Sequence, residues 1–428
     1  MTKLEELIEQ LCPDGVEYKT LGEIATDIYR GSGIKRDQIR KTGTPCVRYG
    51  EIYTTYGIFF DSCVSYTDES LLTTKKYFEY GDILFAITGE SVEDIAKSCA
   101  YVGHEKCLAG GDIVVLKHNE DPKYLSYALA TADARKQKSF GKSKNKVVHS
   151  SVPAIKSIKL PVPPLEVQRE IVRILDNFTF LTTELAAELA AELAARQKQY
   201  EYYRDLLLTF KPNESTILNE RTNELELSGA IRWMKLGELC DVRDGTHDSP
   251  KQTLHGKYLI TSKNIKNGTI DYTGAYFISD EDFDKINLRS KVEINDILFT
   301  MIGTIGEIGL VKNEPDYAIK NVGLIKTNNE LLSRFLMHYL SSKQTKKYII
   351  NNKSKGSQSF LALGKLRNIP IPILETKKIE AIVDILDRFD TLCNDISSGL
   401  PAEIAMRQKQ YEYYRDKLLT FKELKKEA

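Results

Sequence analysis

The sequence has no Cys-X-X-Cys pair. Its seven cysteines, at 12, 46, 63, 99, 107, 240 and 393, are scattered and odd in number. That pattern argues against a disulfide framework or a zinc centre, and points to a reduced, cytoplasmic chain. No apolar run approaches the roughly 18 residues that a membrane span needs. The segment Met1-Thr-Lys-Leu-Glu-Glu-Leu-Ile-Glu9 is acidic and amphipathic, unlike a secretory signal. Also absent are a Walker A loop, a methyltransferase-type glycine loop, an Asn/Asp-Pro-Pro-Tyr/Phe motif and a nuclease-like carboxylate cluster. Gly303, Gly306 and Gly309 form a loose glycine pattern, but no Lys-Ser/Thr follows it. His104, His118, His149, His255 and His338 share no metal-ligand spacing. These absences argue against ATP hydrolysis, methyl transfer or metal chemistry in this chain, and favour recognition over catalysis.

Charge of one sign is missing overall but not locally. Lys plus Arg and Asp plus Glu each number 60, so the net charge is zero. From Ala134 to Leu165 there are eight basic residues and no acid, and Leu331 to Leu374 repeats that pattern. A local positive patch can hold phosphate on a neutral chain. Two solvated lysine-rich loops are the plainer alternative, but their equivalent places in a duplicated chain favour the patch.

The duplication is explicit. Arg196-Gln-Lys-Gln-Tyr-Glu-Tyr-Tyr-Arg-Asp-Leu-Leu-Leu-Thr-Phe-Lys211 returns at an offset of 211 as Arg407-Gln-Lys-Gln-Tyr-Glu-Tyr-Tyr-Arg-Asp-Lys-Leu-Leu-Thr-Phe-Lys422, differing at one position. Ile174-Leu-Asp-Asn-Phe178 pairs with Ile385-Leu-Asp-Arg-Phe389 at the same offset. The intervening segments correspond weakly: Leu21-Gly-Glu-Ile24 with Leu236-Gly-Glu-Leu239, and Gly81-Asp-Ile-Leu-Phe85 with Asn295-Asp-Ile-Leu-Phe299. Each half is a diverged globular domain followed by a closely copied helix.

The globular segments alternate short β-type runs, such as Asp112–Leu116 and Asp296–Thr300, with turns. Each ends in a helix-like stretch, Tyr124–Lys138 and Leu331–Ile350. They read as α+β domains. Leu165–Phe210 reads as one long helix, with Ile171, Ile174, Phe178, Leu181 and Leu185 spaced three and four apart as a coiled-coil seam. At ~1.5 Å per residue it extends roughly 70 Å. Its expected partner is the second copy, Leu374–Phe421, packed antiparallel. Three units, Thr183-Glu-Leu-Ala186, Ala187-Glu-Leu-Ala190 and Ala191-Glu-Leu-Ala194, form a helix-stabilising spacer and a candidate ruler. The second helix carries Gly399 and Pro401 at the equivalent place, which predicts a kink or break.

These features together resemble the specificity subunit of type I restriction–modification systems, over essentially the full length. The paired Arg-Gln-Lys-Gln-Tyr segments, the Ala-Glu-Leu-Ala repeats and Asp244-Gly-Thr-His-Asp-Ser-Pro250 carry the resemblance. It implies a non-catalytic, DNA-binding subunit in which two pseudo-symmetric target-recognition domains, separated by two long antiparallel coiled-coil helices, each read half of a bipartite site. It further implies two modification (methyltransferase) subunits using S-adenosylmethionine, and restriction subunits using ATP and magnesium, with no cofactor in this chain. The expected layout is an N-terminal helix at 1–14, domains at 15–163 and 231–372, helical spacers at 164–211 and 373–422, a linker at 212–230 and a tail at 423–428.

Phosphate-contact candidates are Lys142, Lys144, Lys146, Lys353 and Lys355, because lysine acts as a point charge on backbone oxygens. Base-reading candidates are Arg48, Asn145, His149, Ser150, Lys263, Asn264, Ser357 and Gln358, whose side chains can donate or accept at base edges. Tyr200, Tyr202, Tyr203 and Arg204, with Tyr411, Tyr413, Tyr414 and Arg415, suit a partner interface, although some must pack helix on helix. Asp244, His247 and Asp248 could suggest acid–base chemistry; Asp-Gly-Thr and Asp-Ser-Pro are turn formers and read as a structural or DNA-facing turn. A stand-alone enzyme with two catalytic domains, and a coiled-coil adaptor that binds only proteins, are the competing readings.

Overall fold

The computed structural model describes residues 2–142, 147–210, 216–219, 224–227, 231–266, 268–356, 359–395 and 398–424. The chain folds as two units: residues 1–186 with 406–428, and residues 187–405.

In the first unit a five-stranded sheet orders Ala25–Arg30, Ile113–His118, Ile83–Ala86, Ser98–Tyr101 and Phe59–Phe60. Its central strand, Ile-Leu-Phe-Ala, is buried at every position. Alternation explains this. Ile83 and Phe85 pack with Tyr124, Leu125 and Leu129 of a covering helix, while Leu84 and Ala86 pack with Val47 and Phe78. Val47 and Phe78 belong to a second five-stranded sheet, in which Thr44–Val47 runs parallel to Cys107–Ala109. The second unit repeats the device with fewer strands. Ile297 and Phe299 of Ile297–Thr300 face Phe335, Leu336 and Leu340, and Leu298 joins Ile260, Ile319 and Leu324. Lys257–Ile260 there runs parallel to Tyr317–Ile319.

The two helix-like stretches are each broken once. The first is Pro122–Leu129 followed by Ala132–Ser139, and the second is Glu330–Leu340 followed by Lys343–Asn352. Thr131 and Ser342 explain the breaks. Their hydroxyls accept the N–H of Ala134 and Thr345, capping a new helix rather than continuing the old one.

The central helix is continuous from Leu165 to Leu208. Val167, Ile171 and Leu175 join the core of the first unit, but the predicted seam opens beyond them: Phe178 is 40% and Leu181 61% exposed. Within each unit the helices pair antiparallel. In the first, Thr179 meets Tyr411 and Phe178 meets Tyr414. In the second, Tyr200 and Tyr203 stack on Phe389. The second spacer is two helices, Thr376–Asn394 and Leu400–Leu418, with Pro401 in the first turn of the latter. A side chain at Gly399 would come within 2.5–2.9 Å of the carbonyl oxygens of Thr391, Leu392 and Asp395, so the break is built around a glycine. The expected linker contains an antiparallel strand pair, Thr216–Asn219 with Glu224–Leu227. Among the described residues, no helix is long and apolar enough to cross a membrane.

Candidate nucleic-acid interface

Each unit carries a groove at the carboxyl end of its parallel strand pair. In the second unit the groove measures about 1040 Å³, and Lys263, Lys266, Lys320 and Asn321 line it. In the first it measures about 710 Å³, and Arg30, Arg36 and Arg48 stand around Gly110 and Gly111. The backbone plan is shared. Gly31 and Ser32 donate their N–H groups to Ile113 and Ala109, as Gly245 and Thr246 do to Val322 and Ile319. Both glycines are required, since a Cβ would lie 2.1 Å from Gly110 O or 2.3 Å from Ile319 O. Arginine thus marks one groove, and lysine with an amide the other.

The structure sorts the predicted DNA contacts. Lys263 is exposed at the groove. Asn264 is not available: its side chain donates to Asp271 O at 2.9 Å and accepts from Thr261 N at 3.0 Å, and the residue is buried. Its amide closes a turn, which its sequence neighbourhood did not reveal. Arg48 pairs with buried Glu51 at 2.9 Å while still lining its groove. Lys142 is half-buried just after the helix Ala132–Ser139. His149 is exposed on a short strand, with Nδ1 3.2 Å from Thr88 Oγ1, and Ser150 N donates to Ile87 O. Lys353 and Lys355 are exposed. Their loop closes through Phe360, which bridges Ile302 on the wall of the larger groove. Lys144, Asn145, Lys146, Ser357 and Gln358 lie outside the described residues.

The two basic runs are less free than their sequences suggest. Lys138 is buried, donating to Leu129 O and Ser98 Oγ, and burial pushes its amine down to about 7. Arg135 pairs with Glu412, Lys159 with Glu423, Arg334 with Asp387 and Lys343 with Asp205. The acids missing from the runs come from distant sequence.

Those pairs expose the work of the copied helices. In the first unit, Asp176 accepts from Tyr127 Oη at 2.9 Å and Lys123 Nζ at 2.7 Å, and Asp416 accepts the N–H of Ala132 at 2.9 Å. In the second, Asp387 lies 2.6 Å from His338 Nε2 and accepts from Arg334 Nε at 2.6 Å. Asp205 accepts the N–H of Lys343 at 2.9 Å. Each contact recurs at an offset of 211, with Tyr127 replaced by His338 and Lys123 by Arg334. The carboxylates of Asp205 and Asp416 face helix N-termini, where negative charge is favoured. Of the residues proposed for a partner interface, Tyr200, Arg204 and Arg415 are buried in this seam, and Tyr411 is half-buried, bonded to Thr179. Tyr203 is half-buried on Phe389. Tyr202 and Tyr413 are 62% and 63% exposed, and Tyr414 is 40% exposed. Among the described residues no group of acids, histidines and cysteines could hold a metal ion.

The family model for the type I restriction modification DNA specificity domain matches twice, over residues 13–195 and 231–406. The chain belongs to the type I restriction–modification specificity family. As a specificity subunit it is the DNA-recognising, non-catalytic component of such a system. It is 32% identical over 318 residues to the EcoR124I/EcoR124II specificity subunit of Escherichia coli, covering 70% of each chain. A solved chain from work on complex assembly and conformational transition of the type I R-M system aligns with a TM-score of 0.59 at 18% identity, over 96% of this chain and 98% of that one. The HsdS subunit from Thermoanaerobacter tengcongensis aligns at 0.50 and 16% identity, again over 96% and 98%. These likenesses bear on the fold.

Proposed function

We propose that the domains at 15–163 and 231–372 each read one half of a bipartite DNA target, and that the helices set the spacing and dock two modification subunits. One observation carries this reading. Grooves at the same topological place present arginines in one domain, and lysines with an amide in the other. Two unlike readers on one backbone plan suit an asymmetric target. In this reading Lys142, Lys144, Lys146, Lys353 and Lys355 supply phosphate contacts. The partner subunits bring S-adenosylmethionine, ATP and magnesium, and the assembly works on double-stranded DNA in the cytoplasm.

Replacing Lys353 and Lys355 together with alanine is expected to weaken binding to every DNA sequence alike. The slope of log affinity against log salt should fall by about two, one per lost phosphate contact. Titration at several salt concentrations measures it, and an unchanged slope removes these lysines from the interface.

The docking part rests on Tyr202 and Tyr413. Both occupy the same place in the repeat and both stay exposed, whereas the buried members of the repeat are accounted for by the helix–domain seam. Exposed aromatics in duplicate suit two copies of one partner. Tyr202→Ala alone should reduce the bound modification subunits from two to one under dilute conditions, and Tyr202→Ala with Tyr413→Ala to none. A loss of about tenfold or more in affinity per site is expected for an interface anchor. Native mass spectrometry of the reconstituted complex reads the stoichiometry; a full pair retained by the double variant contradicts the assignment.

A further inference from the structure

The Asp244–Pro250 turn is not explained by the grooves alone. Asp244 is buried at the end of the strand Asp241–Asp244 and grips two groups, the Arg289 guanidinium and His247 Nε2, the latter at 3.1 Å. His247 Nδ1 lies 2.8 Å from the side-chain oxygen position of Asn321. The backbones are stapled as well: Thr246 N donates to Ile319 O, and Asn321 N donates to Thr246 O, both at 3.0 Å. Beyond the staple, Lys320 Nζ bonds Ser249 Oγ. Asn321 itself has φ +54°, a left-handed conformation uncommon for a residue with a side chain. Asn295 and Asn328 share that conformation, which asparagine tolerates in turns; what distinguishes Asn321 is an amide held by His247 at the wall of a basic groove.

We propose that Asn321 reads an adenine in the half-site of the second domain, and that His247 and Asp244 are positioning residues that hold its amide for that contact. This rests on the reading of the groove as a DNA-binding surface. The His247 ring engages the amide oxygen, which keeps a second lone pair, and Asn321 lines the groove. An asparagine amide matches the paired donor and acceptor of adenine in the major groove, and a fixed amide discriminates better than a mobile one. Among the described residues, the corresponding groove of the first domain has no such device. At the corresponding place Gly33 follows Ser32, and Gly110 and Gly111 stand opposite, so no amide or imidazole is available. The effect of losing Asn321 is therefore confined to one half of the target.

The test uses the full chain in complex with its modification subunits and selection from a random double-stranded DNA pool. The wild-type complex should enrich two short motifs at fixed spacing. Asn321→Gly suits the left-handed backbone and removes only the side chain. It should lower the preference for adenine at one position of one motif by about 10- to 100-fold, leaving the other motif and the spacing intact. Asn321→Asp should shift that position towards cytosine, whose amino group a carboxylate can accept. His247→Ala should relax the same position more weakly, and His247→Gln should restore part of the preference. If the wild type enriches two motifs and Asn321→Gly changes neither, or changes both, the assignment is overturned. If the wild type enriches no motif, the proposed function itself falls, and this inference with it.

Discussion

Deleting Ala187–Ala190 from the central helix is expected to shorten the spacer between the two half-sites by one or two base pairs and to leave both half-site sequences unchanged. The helix is unbroken from Leu165 to Leu208, and the division between the two units falls at Ala186 and Ala187, inside the repeat. Four helical residues amount to about 6 Å of rise and roughly 40° of rotation. About 6 Å is close to two base-pair steps of ~3.4 Å. The deletion preserves the leucine period, since Leu185, Leu189 and Leu193 recur every fourth residue. It also leaves untouched every groove residue and every seam contact named above. The second spacer can follow because it is already interrupted around Gly399. Selection from random DNA with the variant complex gives the spacing directly. A change in either half-site, or an unaltered spacer, contradicts the separation of reading from measuring.

Asp387→Ala is expected to loosen the second unit while sparing the first. The carboxylate serves the fully buried His338 and the partly exposed Arg334, and its removal leaves His338 with its Tyr200 contact and Arg334 with Asp384 at 3.7 Å. Breaking a wholly buried ionic contact costs 3–5 kcal/mol, and with a quarter of Asp387 exposed a loss of about 2–3 kcal/mol is reasonable. For a unit of this size that lowers Tm by roughly 5–10 °C. Asp176→Ala, whose partners are Tyr127 and Lys123, should cost about 1 kcal/mol in the first unit. Burial raises the Asp387 carboxyl, but the His338 hydrogen bond and Arg334 outweigh it and hold the group below its ordinary value. A depressed carboxylate stabilises the fold fully above its unfolded value. Its contribution drains away as pH falls below about 4. Hydrogen exchange followed by peptide should therefore show faster opening around Glu330–Leu340 and Thr376–Asn394 in the variant at neutral pH, with the difference from wild type shrinking in acid. Equal acceleration in both units, or none, contradicts this account.

Some of this was legible in residues alone. The copied segments, the continuous spacer and the interrupted second helix follow from identity, helix propensity, and Gly399 with Pro401. The single long helices expected before each basic loop failed because one capping hydroxyl, Thr131 or Ser342, outweighs a continuous apolar pattern. The candidate site was read less well. Asn264 looked like a base reader and is a turn closer. Asn321, which lines the same groove, carries no local signal beyond its place after a lysine; only the His247 contact singles it out.

The sequence by itself determined the family, the duplication and the order of helices, because these depend on repeats, periodicity and capping that act over a few residues. The tertiary structure alone decided which charges and rings are free. Tyr200 meets His338 across 138 positions and Lys159 meets Glu423 across 264. Pairing and burial are set by such distant partners. A run without acids can therefore be partly neutralised, and a tyrosine-rich repeat can spend half its side chains holding its own domain.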